Sequence, residues 1–185
     1  MRVRINPGVK IVSGGQTGVD RAALDVAMKH GIECGGWCPA GRLDELGRIP
    51  ERYPVKELRL SEKDGRSLGR PDQGVAGESA APWKRRDPFA ARTFQNVKDS
   101  DGTVVFYSGE LRGGTEYSVR CCIEQKRVHR LIDAAKLSVE DAASLVVEFV
   151  YENKIEVLNV AGPRQSQWPN GYDYAFRALD IFLQL

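Results

Sequence analysis

Val9-Lys10-Ile11-Val12-Ser13-Gly14-Gly15-Gln16-Thr17-Gly18-Val19-Asp20 is the stretch on which the fold turns. Val9 to Val12 is a short apolar and β-branched run, the composition of a buried strand. It breaks at once into a turn with three glycines, Gly14 to Gly18. Beyond Asp20 the apolar positions Val19, Ala22, Ala23, Val26 and Ala27 recur at the three-to-four spacing of one helix face. Lys29 and His30 suit a last helical turn, and Gly31 stops it. Strand, glycine turn and helix in that order begin a βαβ unit.

Outward from this unit, Gly35 to Arg42 is too rich in Gly and Pro for a regular element and reads as the end of a short strand followed by a loop. A strand is predicted near Tyr53 to Leu60. Ser61 to Pro88 carries many Gly and Pro and few apolar residues, which predicts a long surface loop or a partly disordered insertion. Helices are predicted from Ala90 to Lys98, Glu116 to Lys126, Ser138 to Glu152 and Tyr172 to Leu183. Strands are predicted over Gly102–Tyr107, Val128–Ile132 and Ile155–Val160. Strands alternating with helices predict an α/β fold, a Rossmann-like open, mostly parallel sheet with helices on both faces. The expected organisation is one Rossmann-like ligand-binding domain over 1–185, with a loop insertion at about 61–90.

Composition narrows the function. Lys plus Arg is 27 and Asp plus Glu is 25 in 185 residues, so no large cationic excess marks a nucleic-acid binder. No apolar run approaches the roughly 18 residues of a membrane helix. The start, broken by Pro7 and Gly8, lacks the apolar core of a secretory signal, and four cysteines without one are expected as reduced thiols in the cytoplasm. Neither a membrane nor a nucleic acid is expected as partner.

Three turns fall at the C-terminal ends of predicted parallel strands: Gly14-Gly15-Gln16-Thr17-Gly18, Arg112-Gly113-Gly114-Thr115 and Gly162-Pro163-Arg164. Ligands of open α/β sheets bind at that edge. The first two turns precede helices, whose opening N–H groups lack intrahelical partners, and glycine lets a backbone approach an anion closely. Two such turns suit a phosphate or another oxyanion. A single Gly-Gly turn reads equally well as tight packing. The first lacks the G-x-G-x-x-G spacing and the P-loop lysine, which sets dinucleotide oxidoreduction and P-loop hydrolysis aside.

Arg21, Arg42, Arg48, Arg92, Arg112 and Arg164 are the cationic candidates, and Arg42 and Arg164 lie in turns at the expected ligand edge. Arg48 reads as surface. Asp20 serves either the helix dipole or a ligand hydroxyl or base. Cys34 and Cys38 form a C-x3-C pair without a second matching pair, and Cys121-Cys122 sits within a helix, so no metal is expected. Trp37 and Trp168 flank the loops and offer either a stacking surface or packing. The expected ligand contacts are therefore Gly14, Gly15, Gln16, Thr17, Gly18, Asp20, Arg42, Gly113, Gly114, Thr115, Gly162 and Arg164.

Ser13 to Asp25, Gly35-Gly36-Trp37-Cys38-Pro39, Gly41-Arg42, Asn96 to Thr103, Gly113-Gly114-Thr115 and Leu158 to Arg164 together resemble the putative molybdenum carrier family. The resemblance covers nearly all the chain except Ser61 to Ala90. That family is similar to the LOG-type Rossmannoid proteins of the SLOG superfamily, which bind nucleotides or nucleotide-derived ligands. The resemblance implies that the glycine turns form the ligand pocket and that the chain self-associates. It departs from the family at Glu45-Leu46-Gly47, where Glu-Asp-Gly is usual, in the length of the segment between Leu60 and Arg92, and around Trp168 to Gly171.

Three functions follow. The first is a carrier of molybdenum cofactor, molybdate or a nucleotide, held through N–H groups on oxyanion oxygens. The second is a nucleotide hydrolase like the LOG phosphoribohydrolases, in which a Glu follows the glycine turn. Here that position is Ser118, while Glu116 projects about 200° away from it on a helix of roughly 100° per residue, leaving Asp20 or Glu45 as the carboxylate for acid–base work. The third is an interaction module, with Trp83-Lys84-Arg85-Arg86 as anchor.

Overall fold

The computed structural model describes residues 8–59 and 87–185. Five strands form one parallel sheet: β1 (Lys10–Val12), β2 (Cys34–Gly35), β7 (Gly102–Tyr107), β8 (Val128–Asp133) and β9 (Val157–Ala161), in the order β2-β1-β9-β7-β8. Ile11 stands beside Leu158 of β9, and Val104 beside Val160 on the other side of that strand. Two small sheets lie between β2 and the described second half. β3 (Trp37–Pro39) pairs in parallel with β6 (Lys56–Leu58), and β4 (Leu43–Asp44) makes a hairpin with β5 (Gly47–Arg48).

The helices are α1 (Val19–Lys29), α2 (Pro88–Lys98), α3 (Gly113–Glu124), α4 (Val139–Glu152) and α5 (Gly171–Phe182). Alternation along the strands sorts them into two layers. Val104, Phe106, Leu158 and Val160 face the cluster built by α1, α4 and α5, in which Val19, Ala22, Ala23, Val26 and Ala27 are all fully buried. A second cluster, with Ala90, Val97, Tyr117, Cys121 and Cys122, joins α2 to α3. Between them on the central strands, the buried Asn159 amide donates to the Thr103 hydroxyl at 3.2 Å, so the polar pair is satisfied. The sheet is thus covered on both faces, as strands as apolar as β7 require. The architecture is α/β and Rossmann-like.

The connections place the site. β1 leads through α1 to β2 at one edge, whereas β7 leads through α3 to β8 at the other. With β9 between them, the crevice where the two connections part opens above the C-terminal ends of β1, β9 and β7, the position where such sheets bind ligands.

Several boundaries differ from the sequence reading. α3 starts at Gly113 rather than Glu116, so the second glycine pair is itself the first helical turn. The predicted strand over 53–60 shortens to Lys56–Leu58, with Tyr53 buried in the preceding turn. Gly35 to Arg42 contains strand residues on both sides of Gly36, whose φ of +128° brings its Cα against the Ser13 backbone. α2 begins at Pro88, capped by the Asp87 carboxylate, which accepts from the Phe89 amide at 2.9 Å. Ser138 caps α4 as expected, accepting from the Asp141 amide at 3.1 Å. The expected loop and its Trp83-Lys84-Arg85-Arg86 anchor lie outside the described residues. Among the described residues, no helix is long and apolar enough to cross a membrane.

Candidate functional site

A cleft of about 350 Å³ lies in this crevice. The first glycine turn gives it Gln16 and Asp20, the segment after β9 gives Ala161, Gly162, Arg164 and Gln167, and the start of α3 gives Gly113, Gly114, Thr115, Tyr117 and Ser118. Its remaining wall is the first turn of α2, with Asp87, Phe89, Ala90, Arg92 and Thr93. Its size lies at the lower end of the range for small-molecule sites.

The two glycine turns behave differently. Residues 13–18 are buried throughout, and the side chains of Ser13, Gln16 and Thr17 bond within the turn and to the segments packed around it. The Gln16 amide donates to Asp20 Oδ2 at 3.2 Å, the Thr17 amide to Gln16 Oε1 at 3.0 Å, and the Val19 amide to the Pro163 carbonyl at 3.4 Å. By contrast, Arg112, Gly113 and Gly114 are exposed, and among the described residues no side chain caps α3. The Thr115 and Glu116 amides both return to the Arg112 carbonyl, at 3.2 and 3.4 Å, which leaves the Gly113 and Gly114 amides at the cleft as the donors that helix geometry does not pair, where the helix dipole gives partial positive charge.

Behind the amides, the floor is an ion pair. Arg92 Nη1 lies 3.1 Å from Asp20 Oδ2, and Asp20 is only 3% exposed. The pair explains Gly14: a Cβ there would lie 1.6 Å from Arg92 Nη1. Burial pushes the Asp20 carboxyl up, against the opposing pull of the Arg92 charge, the Gln16 amide and the Ser13 hydroxyl. Arg92 Nε is buried with no hydrogen-bond partner among the described residues.

Of the six cationic candidates, Arg92 and Arg164 line the cleft. Arg42 does not. Its φ is +55°, and its guanidinium turns inward to donate to the carbonyls of Ile49, Pro50, Tyr53 and Val55 at 2.9–3.3 Å. It knits the segment between the hairpin and β6, a role its place in a Gly-Arg turn did not reveal. Arg21 is spent on the Gly15 carbonyl and on Asp44 at 2.5 Å. Arg48 pairs with Glu51 on the surface, and Arg112 with Glu110. Arg164, half exposed and 3.9 Å from Glu45, is the least committed of the six.

Of the expected contacts, the cleft brings together Gln16, Asp20, Gly113, Gly114, Thr115, Gly162 and Arg164. Thr17 and Gly18 line a second hollow on the far side of the turn, with Arg21, Glu45, Tyr53 and Tyr172. Gly14 and Gly15 pack against Arg92 and Ile49. Trp37 donates to Asp99 at 2.8 Å, and Trp168 packs on Tyr174; the aromatic members of the cleft are instead Phe89 and Tyr117. Sequence reasoning missed Phe89, Tyr117 and Thr93 as contacts. For Phe89 and Thr93 the signal was the helical register after Pro88, which sets Phe89, Arg92 and Thr93 on neighbouring turns of one helix side.

The lining contains no Cys or His, and among the described residues no group of three or more His, Cys, Asp or Glu is placed to hold a metal ion. Burial raises the thiols of Cys38 and Cys122, which keeps them protonated. The donors available are amide and guanidinium N–H groups, which fit anionic oxygens.

Comparison with known proteins agrees with this architecture. The model of the circularly permutated YpsA SLOG family matches residues 11–69 and 82–183. A crystal structure from Syntrophus aciditrophicus SB, named a putative molybdenum carrier protein, is similar at 39% identity with a TM-score of 0.78, over 96% of each chain. No curated protein matches. With the family model spanning both sides of the cleft and most of the sheet, the chain belongs to the circularly permutated YpsA SLOG family.

Proposed function

We propose that this chain is a binding protein for a small ligand that joins an oxyanion to a flat ring, such as a nucleotide or the phosphate-bearing pterin of molybdenum cofactor. The observation that carries this reading is the exposed, uncapped start of α3, where Gly113 and Gly114 share one cleft with Arg164. That end receives the anion. Phe89 and Tyr117 supply a surface for a ring. A bare molybdate ion would use the anion end alone and leave most of the 350 Å³ to water. The name of the Syntrophus relative supports a molybdenum-bearing cargo, and this cleft would hold such a cargo through phosphate or oxo oxygens.

Native mass spectrometry of the purified chain, with molybdenum measured on the same sample, tests the reading. An adduct of nucleotide or pterin mass is the expected result, and the same spectrum reads the self-association implied by the family resemblance. A chain that carries no adduct, and shows no saturable calorimetric binding of AMP, inorganic phosphate or molybdate, would sink it.

A hydrolytic role is the second reading, favoured by Asp20. Its carboxylate is the buried one in the cleft, whereas Asp87 is exposed and occupied in capping α2. Ser118 stands in the cleft where the resemblance places a hydrolase carboxylate, and its hydroxyl donates to the Gly114 carbonyl at 3.0 Å. Release of free base from AMP, abolished by Asp20→Asn, would establish this role. Its absence in a chain that binds AMP leaves the carrier.

A further inference from the structure

Glu45 sits at the tip of the β4–β5 hairpin and lines the second hollow, not the cleft. The residue is nevertheless tied to segments that line the cleft, through its backbone amide and through its carboxylate. On the hairpin itself, the Glu45 amide donates to Gln16 Oε1 at 2.9 Å. From the first glycine turn, the Thr17 hydroxyl donates to Glu45 Oε1 and accepts from the Gln165 amide at 3.1 Å. From the segment after β9, the Ser166 amide donates to Oε1 at 3.2 Å, and the Ser166 hydroxyl donates to Oε2.

Gln165 and Ser166 thus find partners for their amides outside their own loop. On the other side, the Gln167 and Trp168 amides both return to the Arg164 carbonyl, at 3.0 and 3.1 Å. Arg164 directly precedes the first pair, and its carbonyl receives the second, so both anchorages fix its backbone. Its own side chain stays 3.9 Å from Glu45, close enough to be steered and too far for a hydrogen bond that would occupy it.

We infer that Glu45 is a positioning residue: it ties the Arg164–Ser166 segment to the first glycine turn and thereby sets Arg164 over the uncapped start of α3. This deepens the anion-site reading of the cleft and rests on it. Chemistry explains why a carboxylate is needed. The group accepts from the Ser166 amide and from two hydroxyls while donating nothing, which an ionised carboxylate does and a side-chain amide cannot fully copy. Partial burial pushes its carboxyl upward, but the hydrogen bonds from Ser166 and Thr17 and the charge of Arg164 outweigh that and hold it below its ordinary value. It is therefore charged at neutral pH. Glu45 acts through Arg164 and lies outside the cleft, so it is no candidate for acid–base chemistry there.

The test compares the full-length chain with Glu45→Gln, alone and combined with Arg164→Ala, using AMP and inorganic phosphate as probes. Expected for E45Q are about tenfold faster hydrogen exchange at the Gln165 and Ser166 amides and about tenfold weaker AMP binding, the loss of charge-assisted hydrogen bonds. In the Arg164→Ala background, E45Q should cost less than about twofold more. Ser166→Ala, which removes one arm only, gives a smaller change of the same sign and guards against a misfolded E45Q. Unchanged affinity in E45Q, or the same loss with and without Arg164, overturns the inference and leaves the anion site standing. If the unmutated chain binds neither probe, the anion site falls and takes the inference with it.

Discussion

The turn from Ser13 to Gly18 and the turn from Arg112 to Thr115 share a sequence signature: adjacent glycines and a threonine around a helix start, following a parallel strand. In the fold the first is buried among other segments, with its Gln16, Thr17 and Val19 amides paired within the protein. The second is exposed and uncapped. The difference lies in the surroundings. The first turn is hemmed in by the hairpin carrying Glu45, by Arg92 from α2 and by the segment after β9, whereas Gly113 and Gly114 are exposed and line the cleft. Two glycine turns of like sequence therefore differ in role, one braced among other segments and one open to the cleft.

Gly18→Ala breaks this comparison most forcefully if it is wrong. Gly18 has φ +77°, and a Cβ there would lie 2.6 Å from the Pro163 carbonyl oxygen and 2.8 Å from the Gln165 amide nitrogen. Both are backbone atoms of the segment that carries Arg164, so neither can swing away. The expected cost is about 3 kcal/mol. For a chain of this size that lowers the Tm by roughly 6–12 °C in a calorimetric melt. A drop below about 2 °C would mean that the first turn is looser than its contacts indicate.

Arg164→Ala addresses the ligand side. Its side chain is half exposed and makes one long ion pair, so the melt should stay within about 1–2 °C of the parent. AMP affinity should fall about tenfold by calorimetry, the worth of one charge-assisted contact. Equal affinity would relocate the anion away from this cation.

Asp20→Asn decides whether burial or Arg92 governs the floor. With its carboxyl raised above 3.8, Asp20 contributes stability that is complete below that value and is lost as pH rises through its raised native value. Asn resembles the protonated acid and has no such dependence. Urea midpoints measured from pH 4 to pH 8 should therefore shift in favour of the variant as pH rises. A variant that loses ground instead would show that the Arg92 charge outweighs burial.

How much of this was legible beforehand depends on what kind of information each feature carries. Periodicity and turn chemistry are local, so α1, β7 and the Ser138 cap could be read from neighbours in the chain. The ligand edge could be placed too, because alternating strands and helices imply a parallel sheet that binds ligands at the C-terminal ends of its strands, whereas the strand order, with β9 between β1 and β7, is not local information. The direction of a side chain is not local. Arg42 and Arg164 both sit in turns with glycine beside or near them, yet one guanidinium folds back onto four carbonyls while the other stays half exposed. Likewise nothing near Gly14 in sequence announces Arg92, 78 positions later, whose guanidinium occupies the space a side chain would need. Phe89 and Tyr117 enter the cleft only because α2 and α3 pack together through Ala90, Val97 and Cys121.

Gly114→Ala is the smallest change and the sharpest contrast with Gly18→Ala. Among the described residues beyond its own helix turn, no atom lies within 4 Å of a Cβ built at Gly114, and its φ is outside the left-handed region. Alanine is the better helix former, so the variant should be as stable as the parent or gain up to about 0.5 kcal/mol. A glycine that the fold does not require is explained by what approaches it from outside, because only glycine lets an anion come close to the backbone. AMP affinity should then fall, by about threefold, since the amide donor is retained and only the approach is hindered. Unchanged affinity would move the anion back by one residue onto Gly113, whose φ of +54° favours glycine on backbone grounds alone.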